Sequence, residues 1–223
     1  MILRSYLALE MTALLLWNPA PARPAVLGVV VEVDRAHLNG GAVSLGATVY
    51  DGDHFATEKG GLLLLRDGAT MLELAEESVL IVRSRTNGAQ GTEAEVSMGT
   101  LVFSAARADT LEIVAMEARI RPIKDARTVA QVSITGPKEL RIYARRGSLE
   151  CSYREEKETI AEGAAYRVIL DPAEDDPQKK GAVKAGRQRK AFLLLAIGAG
   201  AAAAAAIMYE HRGHKPMESP DRP

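Results

Sequence analysis

The chain of 223 residues has one cysteine, Cys151, so no disulfide can form within it and a disulfide-stapled scaffold is excluded. Neither sign of charge is in excess: 28 Lys and Arg stand against 29 Asp and Glu, a formal net charge of −1. No general affinity for nucleic-acid phosphates follows from such a balance. Histidine is scarce, and none of the 4 stands where chemistry would need it. His37 and His54 have no Ser, Cys or carboxylate at the spacing of a nucleophilic triad. His211 and His214 have too few partners for a structural zinc site. Asp51, Asp53 and Glu58 lie close together, but a calcium loop wants an oxygen ligand at its fifth position and Glu at its twelfth, where Phe55 and Leu62 stand. The sequence therefore predicts no catalytic residue, no metal and no cofactor, and the chain is not expected to be an enzyme.

What is present is a period of two. Short runs rich in Val, Ile, Leu, Tyr and Phe follow one another from VLGVVVEV at Val26 to AYRVIL at Ala165, punctuated by Gly and Asp. Such spacing predicts an all-β sandwich or barrel of many short antiparallel strands. Asn39-Gly40-Gly41, Asp51-Gly52-Asp53, Lys59-Gly60-Gly61, Asp67-Gly68, Asn87-Gly88 and Arg146-Gly147 read as turns, because each offers residues that tolerate positive φ. Glu155 to Ala165 reads as a hairpin around Gly163 instead of a helix. Cys151 sits in Leu149-Glu150-Cys151-Ser152-Tyr153, an alternation that makes it a small core residue. Glu155-Glu156-Lys157-Glu158 reads as a solvated turn. Two segments echo each other, Met98-Gly99-Thr100-Leu101 and Arg146-Gly147-Ser148-Leu149, which suggests two related halves.

The ends carry signals of another kind. Arg4 precedes an apolar stretch ending in Met11 to Trp17, and Ala20-Pro21-Ala22 has the small-x-small form of a signal-peptidase site, so residues 1–22 read as an export signal. Residues 191–209 (AFLLLAIGAGAAAAAAIMY) contain no charge. As a helix rising ~1.5 Å per residue they would measure about 28 Å, close to the hydrocarbon thickness of a bilayer. This predicts a transmembrane helix whose partner is lipid, although its few strongly apolar residues supply only about 2–4 kcal/mol of insertion free energy. Lys179, Lys180, Lys184, Arg187, Arg189 and Lys190 before the span outnumber Arg212, Lys215 and Arg222 after it. That asymmetry opposes export, whereas a working signal peptide outranks it because long segments translocate largely regardless of charge.

Residues 171–190 change to Pro, Asp, Lys and Gly, acidic first at Glu174-Asp175-Asp176 and basic after, which reads as a flexible linker. Residues 210–223 form a short polar tail. The expected plan is thus a signal peptide at 1–22, one β-domain at 26–170, a linker at 171–190, a span at 191–209 and a tail.

Several stretches in order resemble the FecR-like domain. They are Asn39 to Gly46, Val49 to Thr57 with its Gly-Asp turn, Gly61 to Gly68 with its Asp-Gly turn, the strand Met71 to Leu74, the strands after Gly99 and Gly147, and the closing Ile160-Ala161-Glu162-Gly163. The resemblance covers about residues 26 to 170, and the layout with a carboxyl-terminal anchor is similar to members found in acidobacterial genomes. It implies a sandwich or jelly-roll-like β-domain facing the periplasm from the inner membrane. Full-length FecR regulators add a cytoplasmic helical segment that holds a sigma factor, and no counterpart stands ahead of Val26, so sigma-factor control is not expected. The family's "GT-x-F" strand start also departs here, since Gly136 is followed by Pro137, Lys138, Glu139 and Leu140. The expected function is a membrane-anchored binding module for a protein or an envelope polymer, with a transmembrane signalling regulator and an envelope enzyme as alternatives.

Overall fold

The structure is a computed structural model, and it describes residues 24–85, 91–172 and 191–197. All of its regular elements are strands. In chain order they are β1 (Val26–Leu38), β2 (Gly41–Ala42), β3 (Thr48–Tyr50), β4 (His54–Asp67), β5 (Thr70–Leu74), β6 (Val79–Ser84), β7 (Thr92–Met98) and β8 (Thr100–Ala105). There follow β9 (Leu111–Ala115), β10 (Ala118–Pro122), β11 (Thr128–Gly136), β12 (Glu139–Arg146), β13 (Leu149–Tyr153), β14 (Glu156–Ile160), β15 (Ala165–Leu170) and β16 (Phe192–Ile197).

The strands join in the order β14-β13-β10-β9-β7-β6-β4-β5-β8-β11-β12-β15-β16. The sheet forks at β4, whose His54–Ala56 portion pairs with β6 and whose Leu63–Asp67 portion pairs with β5. β1 backs both portions. A first leaf runs from β6 to β14 and a second from β5 to β16. The two leaves face each other, because inward residues of both, Leu80, Val96, Ile113, Ile120 and Cys151 from the first and Leu72, Leu101, Val132, Ile142 and Val168 from the second, belong to one buried core. Burial alternates along most strands, as in BiBiB for Leu149–Tyr153, which is how a pleated strand puts every second side chain on the core.

Beyond β7 the chain changes leaf repeatedly: β8 in the second, β9 and β10 in the first, β11 and β12 in the second, β13 and β14 in the first, β15 and β16 in the second. Because β8 is spent in the other leaf, β7 and β9 meet as parallel neighbours, while every other pairing is antiparallel. This alternation of leaves is what makes the sandwich jelly-roll-like.

The two echoing segments occupy equivalent corners. Gly99 follows β7 where the chain crosses to β8, and Gly147 follows β12 where it crosses back to β13. Both have positive φ, 84° and 75°. Each presses on a buried hydroxyl residue at the start of the paired hairpin, Ser78 for Gly99 and Thr128 for Gly147. Those hydroxyls make the same local bond to a carbonyl two residues back, Ser78 to Glu76 at 2.9 Å and Thr128 to Ala126 at 3.1 Å. The register then slips at matching places, between Val79 and Leu80 and between Val129 and Ala130. The halves suggested by the sequence are thus related by a shared corner, not only by a shared string of residue types.

Four expectations change, the first being that Glu156-Lys157-Glu158, read as part of a solvated turn, forms the start of strand β14 paired with β13. Lys59-Gly60-Gly61 is no turn between strands but the bend inside β4, with φ of 69° at Gly60. Gly163 does not close a hairpin, because β14 and β15 lie in different leaves. Phe192–Ile197, expected at the start of a transmembrane helix, is strand β16, paired along its whole length with β15 from Leu170↔Phe192 to Ala165↔Ile197. The physical reason is that β15 otherwise ends the second leaf with unpaired backbone groups, which a neighbouring extended apolar segment satisfies. Among the described residues no helix is long and apolar enough to cross a membrane. The export signal at 1–22, the turn at Asn87-Gly88, the linker from residue 173 to 190, the rest of the apolar stretch from 198 and the tail with His211 and His214 lie outside the described residues.

Candidate functional site

The acidic cluster weighed from the sequence is a piece of turn architecture. Asp53 is buried, accepts Asn39 Nδ2 at 2.9 Å and caps the Tyr50 amide at 2.8 Å. Asp51 accepts the Ser84 amide at 2.8 Å, which ties the turn before β4 to the end of β6. Glu58 points elsewhere, to His37 Nε2 at 2.7 Å, in an exposed pair. His54 contributes its backbone amide to Asn39 Oδ1 at 3.0 Å. The structure therefore brings Asp51 and Asp53 to one turn while Glu58 turns away from them. Cys151 is fully buried, and burial pushes its thiol up to about 12, so it is a core side chain and not a thiolate.

The outer face of the first leaf is a ladder of opposite charges. Arg83 meets Glu95, Arg119 meets both Glu93 and Glu112, and Arg85 reaches Glu112 at 3.3 Å. Arg121 meets Glu150 at 2.7 Å, with Lys157 at 3.5 Å from the same carboxylate. Burial would raise the Glu150 carboxyl, but the hydrogen bond and charge of Arg121, aided by Lys157, outweigh it and hold that carboxyl below its ordinary value. Apart from those made to the buried Glu112, these pairs are at least partly exposed and contribute little stability each. Their effect is to leave this face locally neutral and hydrated.

The outer face of the second leaf is built differently. Residues directly opposite on paired strands share a face. Ser133, Arg141, Arg167 and Leu195 lie in one row across β11, β12, β15 and β16, and Gln131, Tyr143, Ala165 and Ile197 lie in the next. The row between them, Val132 and Ile142, is fully buried, which fixes the other two as outward. A hollow of about 280 Å³ lies over these rows, with Thr100, Gln131, Ser133, Arg141, Tyr143 and Ile197 in its wall. Its polar floor is ordered: Thr100 Oγ1 donates to Ser133 Oγ at 2.9 Å and Gln131 Nε2 to the same oxygen at 3.1 Å. Arg167 is committed to Glu139 at 2.5 Å, an interaction that holds the Glu139 carboxyl below its ordinary value. Arg141 makes no hydrogen bond or close ion pair with another described residue, and its charge adds to that of Arg167 on the Glu139 carboxyl. Hydroxyls, an amide, a tyrosine ring and a guanidinium in one concavity can hold extended chains that carry hydrogen-bonding groups and negative charge.

Sequence reasoning assigned none of these residues to a site. The outward positions of β11 and β12 are ordinary strand residues in composition, and only the register that aligns Gln131 with Tyr143 and Ser133 with Arg141 gathers them. The one available signal was the composition of ELRIYARR, which alternates buried Leu140, Ile142 and Ala144 with outward Arg141 and Tyr143.

The architecture defines the chain as an all-β jelly-roll-like sandwich. No protein-family model matches the sequence, and none of the curated proteins matches it. Two solved structures of proteins from Parabacteroides distasonis, each described as a proposed anti-sigma factor, align with part of this chain. One aligns with a TM-score of 0.47 at 13% identity over 69% of this chain and 64% of that one. The other aligns with a TM-score of 0.44 at 12% identity over 52% of this chain and 54% of that one. The chain thus spans between half and two thirds of the length of either.

Proposed function

We propose that this chain is an extracytoplasmic, membrane-anchored binding module that holds a protein or an envelope polymer on the outer face of its second leaf. The observation that carries the reading is the contrast between the two faces. One pairs its charges along a ladder, while the other sets two arginines, Arg141 and Arg167, around Glu139 beside an ordered hydroxyl and amide floor. Anchoring rests on the uncharged stretch 191–209 and on the leader-like residues 1–22.

Photo-crosslinking in the native host tests it. With benzoylphenylalanine in place of Tyr143, a discrete adduct to a protein or to envelope material is expected. The same group in place of Glu95, on the ladder of the first leaf, is expected to give none. Adducts at Glu95 alone, or equally at both positions, would overturn the assignment of the binding face.

A further inference from the structure

The two ends of the strand order are defended very differently. β14, at the end of the first leaf, reads Glu156-Lys157-Glu158-Thr159-Ile160 and carries three charged residues in succession. Charges of this kind are how sheet edges are kept from pairing with other chains. β16, at the end of the second leaf, reads Phe192-Leu193-Leu194-Leu195-Ala196-Ile197, with no charge, no proline and no slip of register. Its seat accommodates it only in part. Phe192 is buried, 2% exposed, whereas Leu193 and Leu195 stand outward at 38% and 40% exposure. A permanent edge strand of this composition would be an invitation to uncontrolled pairing.

The same residues are the most apolar part of the stretch expected to enter the bilayer. If β16 stays on the sheet, only residues 198–209 remain, mostly Gly and Ala. As a helix these would reach roughly 18 Å, well short of the ~30 Å hydrocarbon core. Seating on β15 and spanning the bilayer are therefore mutually exclusive for Phe192–Ile197.

We infer that the β15 edge is a strand-addition site for an extended apolar segment of a partner protein, and that β16 is its resident occupant, withdrawn when residues 191–209 enter the membrane. This rests on the anchoring reading above. β16 itself defines what the seat accepts: an antiparallel strand paired with Ala165–Leu170, a large apolar side chain filling the position of Phe192, and a side chain at the place of Ile197 that closes one wall of the hollow. Main-chain hydrogen bonds to β15 supply affinity and the Phe192 position supplies selectivity. The partner strand thus ends beside Tyr143 and Ala165, on the face already assigned to binding.

The test uses the full chain with Cys151→Ala and compares it with the same chain carrying Arg167→Cys and Leu195→Cys, positions directly opposite on β15 and β16. The probe is a fluorescent, lysine-flanked peptide of sequence FLLLAI. A copy with alternate backbone amides methylated is equally apolar but cannot pair, and corrects for partition into lipid. Vesicles are of phosphatidylethanolamine and phosphatidylglycerol. The unstapled chain is expected to float with the vesicles and to bind the pairing peptide at least tenfold more tightly with vesicles than without. The oxidised, stapled chain is expected to do neither, and to recover both on reduction, which controls for misfolding. An unstapled chain that floats but shows no vesicle-dependent peptide uptake, or a stapled chain that floats and binds like the unstapled one, overturns this inference. Failure of the unstapled chain to float at all overturns the anchoring reading, and this inference with it.

Discussion

A methyl group at Gly99 would stand 2.0 Å from Ser78 Oγ, and one at Gly147 would stand 2.7 Å from Thr128 Oγ1, in both cases on backbone with positive φ. Both the left-handed conformation and the contact penalise a side chain, so Gly99→Ala should cost about 3 kcal/mol or more and Gly147→Ala somewhat less. Gly40 also has positive φ, 81°, but nothing lies within 4 Å of its missing methyl, so Gly40→Ala should cost only about 1 kcal/mol. Urea unfolding of the three variants separates the corner role from mere conformational tolerance, and equal costs would contradict it. Cys151 offers a second test at this scale. Buried, with its thiol pushed up to about 12, it should resist iodoacetamide at about pH 8 in the native state and react once urea unfolds the chain.

Single elements explain why the sequence was legible in some places and not in others. Asn39-Gly40 reads directly as a tight turn, and the structure gives both residues positive φ, 51° and 81°, between β1 and β2. Met116 and Glu117 make an equally tight turn between β9 and β10 with φ of 51° and 68°. No glycine or asparagine marks that turn, so local chemistry could not reveal it; the pairing of Ala115 with Ala118 imposes it from outside. Gly60-Gly61 misled for the opposite reason, since residues that can turn need only bend when β1 runs alongside the whole strand. β16 was misread because Phe, Leu and Ile fit a lipid-facing helix as well as a strand, and the unpaired edge that captures them is invisible in the segment's own sequence. The face proposed to bind was the least legible part, because it exists only through register.

The charge ladder makes a prediction for the elements that bear it. Glu150 on β13 has its carboxyl held below the ordinary 4.5 by Arg121 against the opposing effect of burial. The folded state therefore binds a proton there less readily than the unfolded chain. The corresponding stability is present above pH about 4.5 and disappears as the pH falls through the lowered value. Thermal melts from neutral to acidic pH should show a shallower acid-side loss for Glu150→Gln than for the unaltered chain. An unchanged slope would show that Arg121 and Glu150 are too well hydrated to matter.

At the scale of the whole molecule, the repeated crossing between leaves places the two chain segments nearest the expected membrane, β15 and β16, at the end of the leaf that carries the hollow. Binding face and tether are thus neighbours, and the opposite leaf shows solvent a neutral, defended surface. The function proposed above requires the domain to lie outside the cytoplasmic membrane. The direct measurement is labelling of intact spheroplasts with a membrane-impermeant maleimide, using the full chain with Cys151→Ala and Glu155→Cys, a position in the exposed β13–β14 turn. The account predicts labelling before lysis as complete as after it. Labelling only after lysis would place the β-domain in the cytoplasm and contradict the binding module proposed.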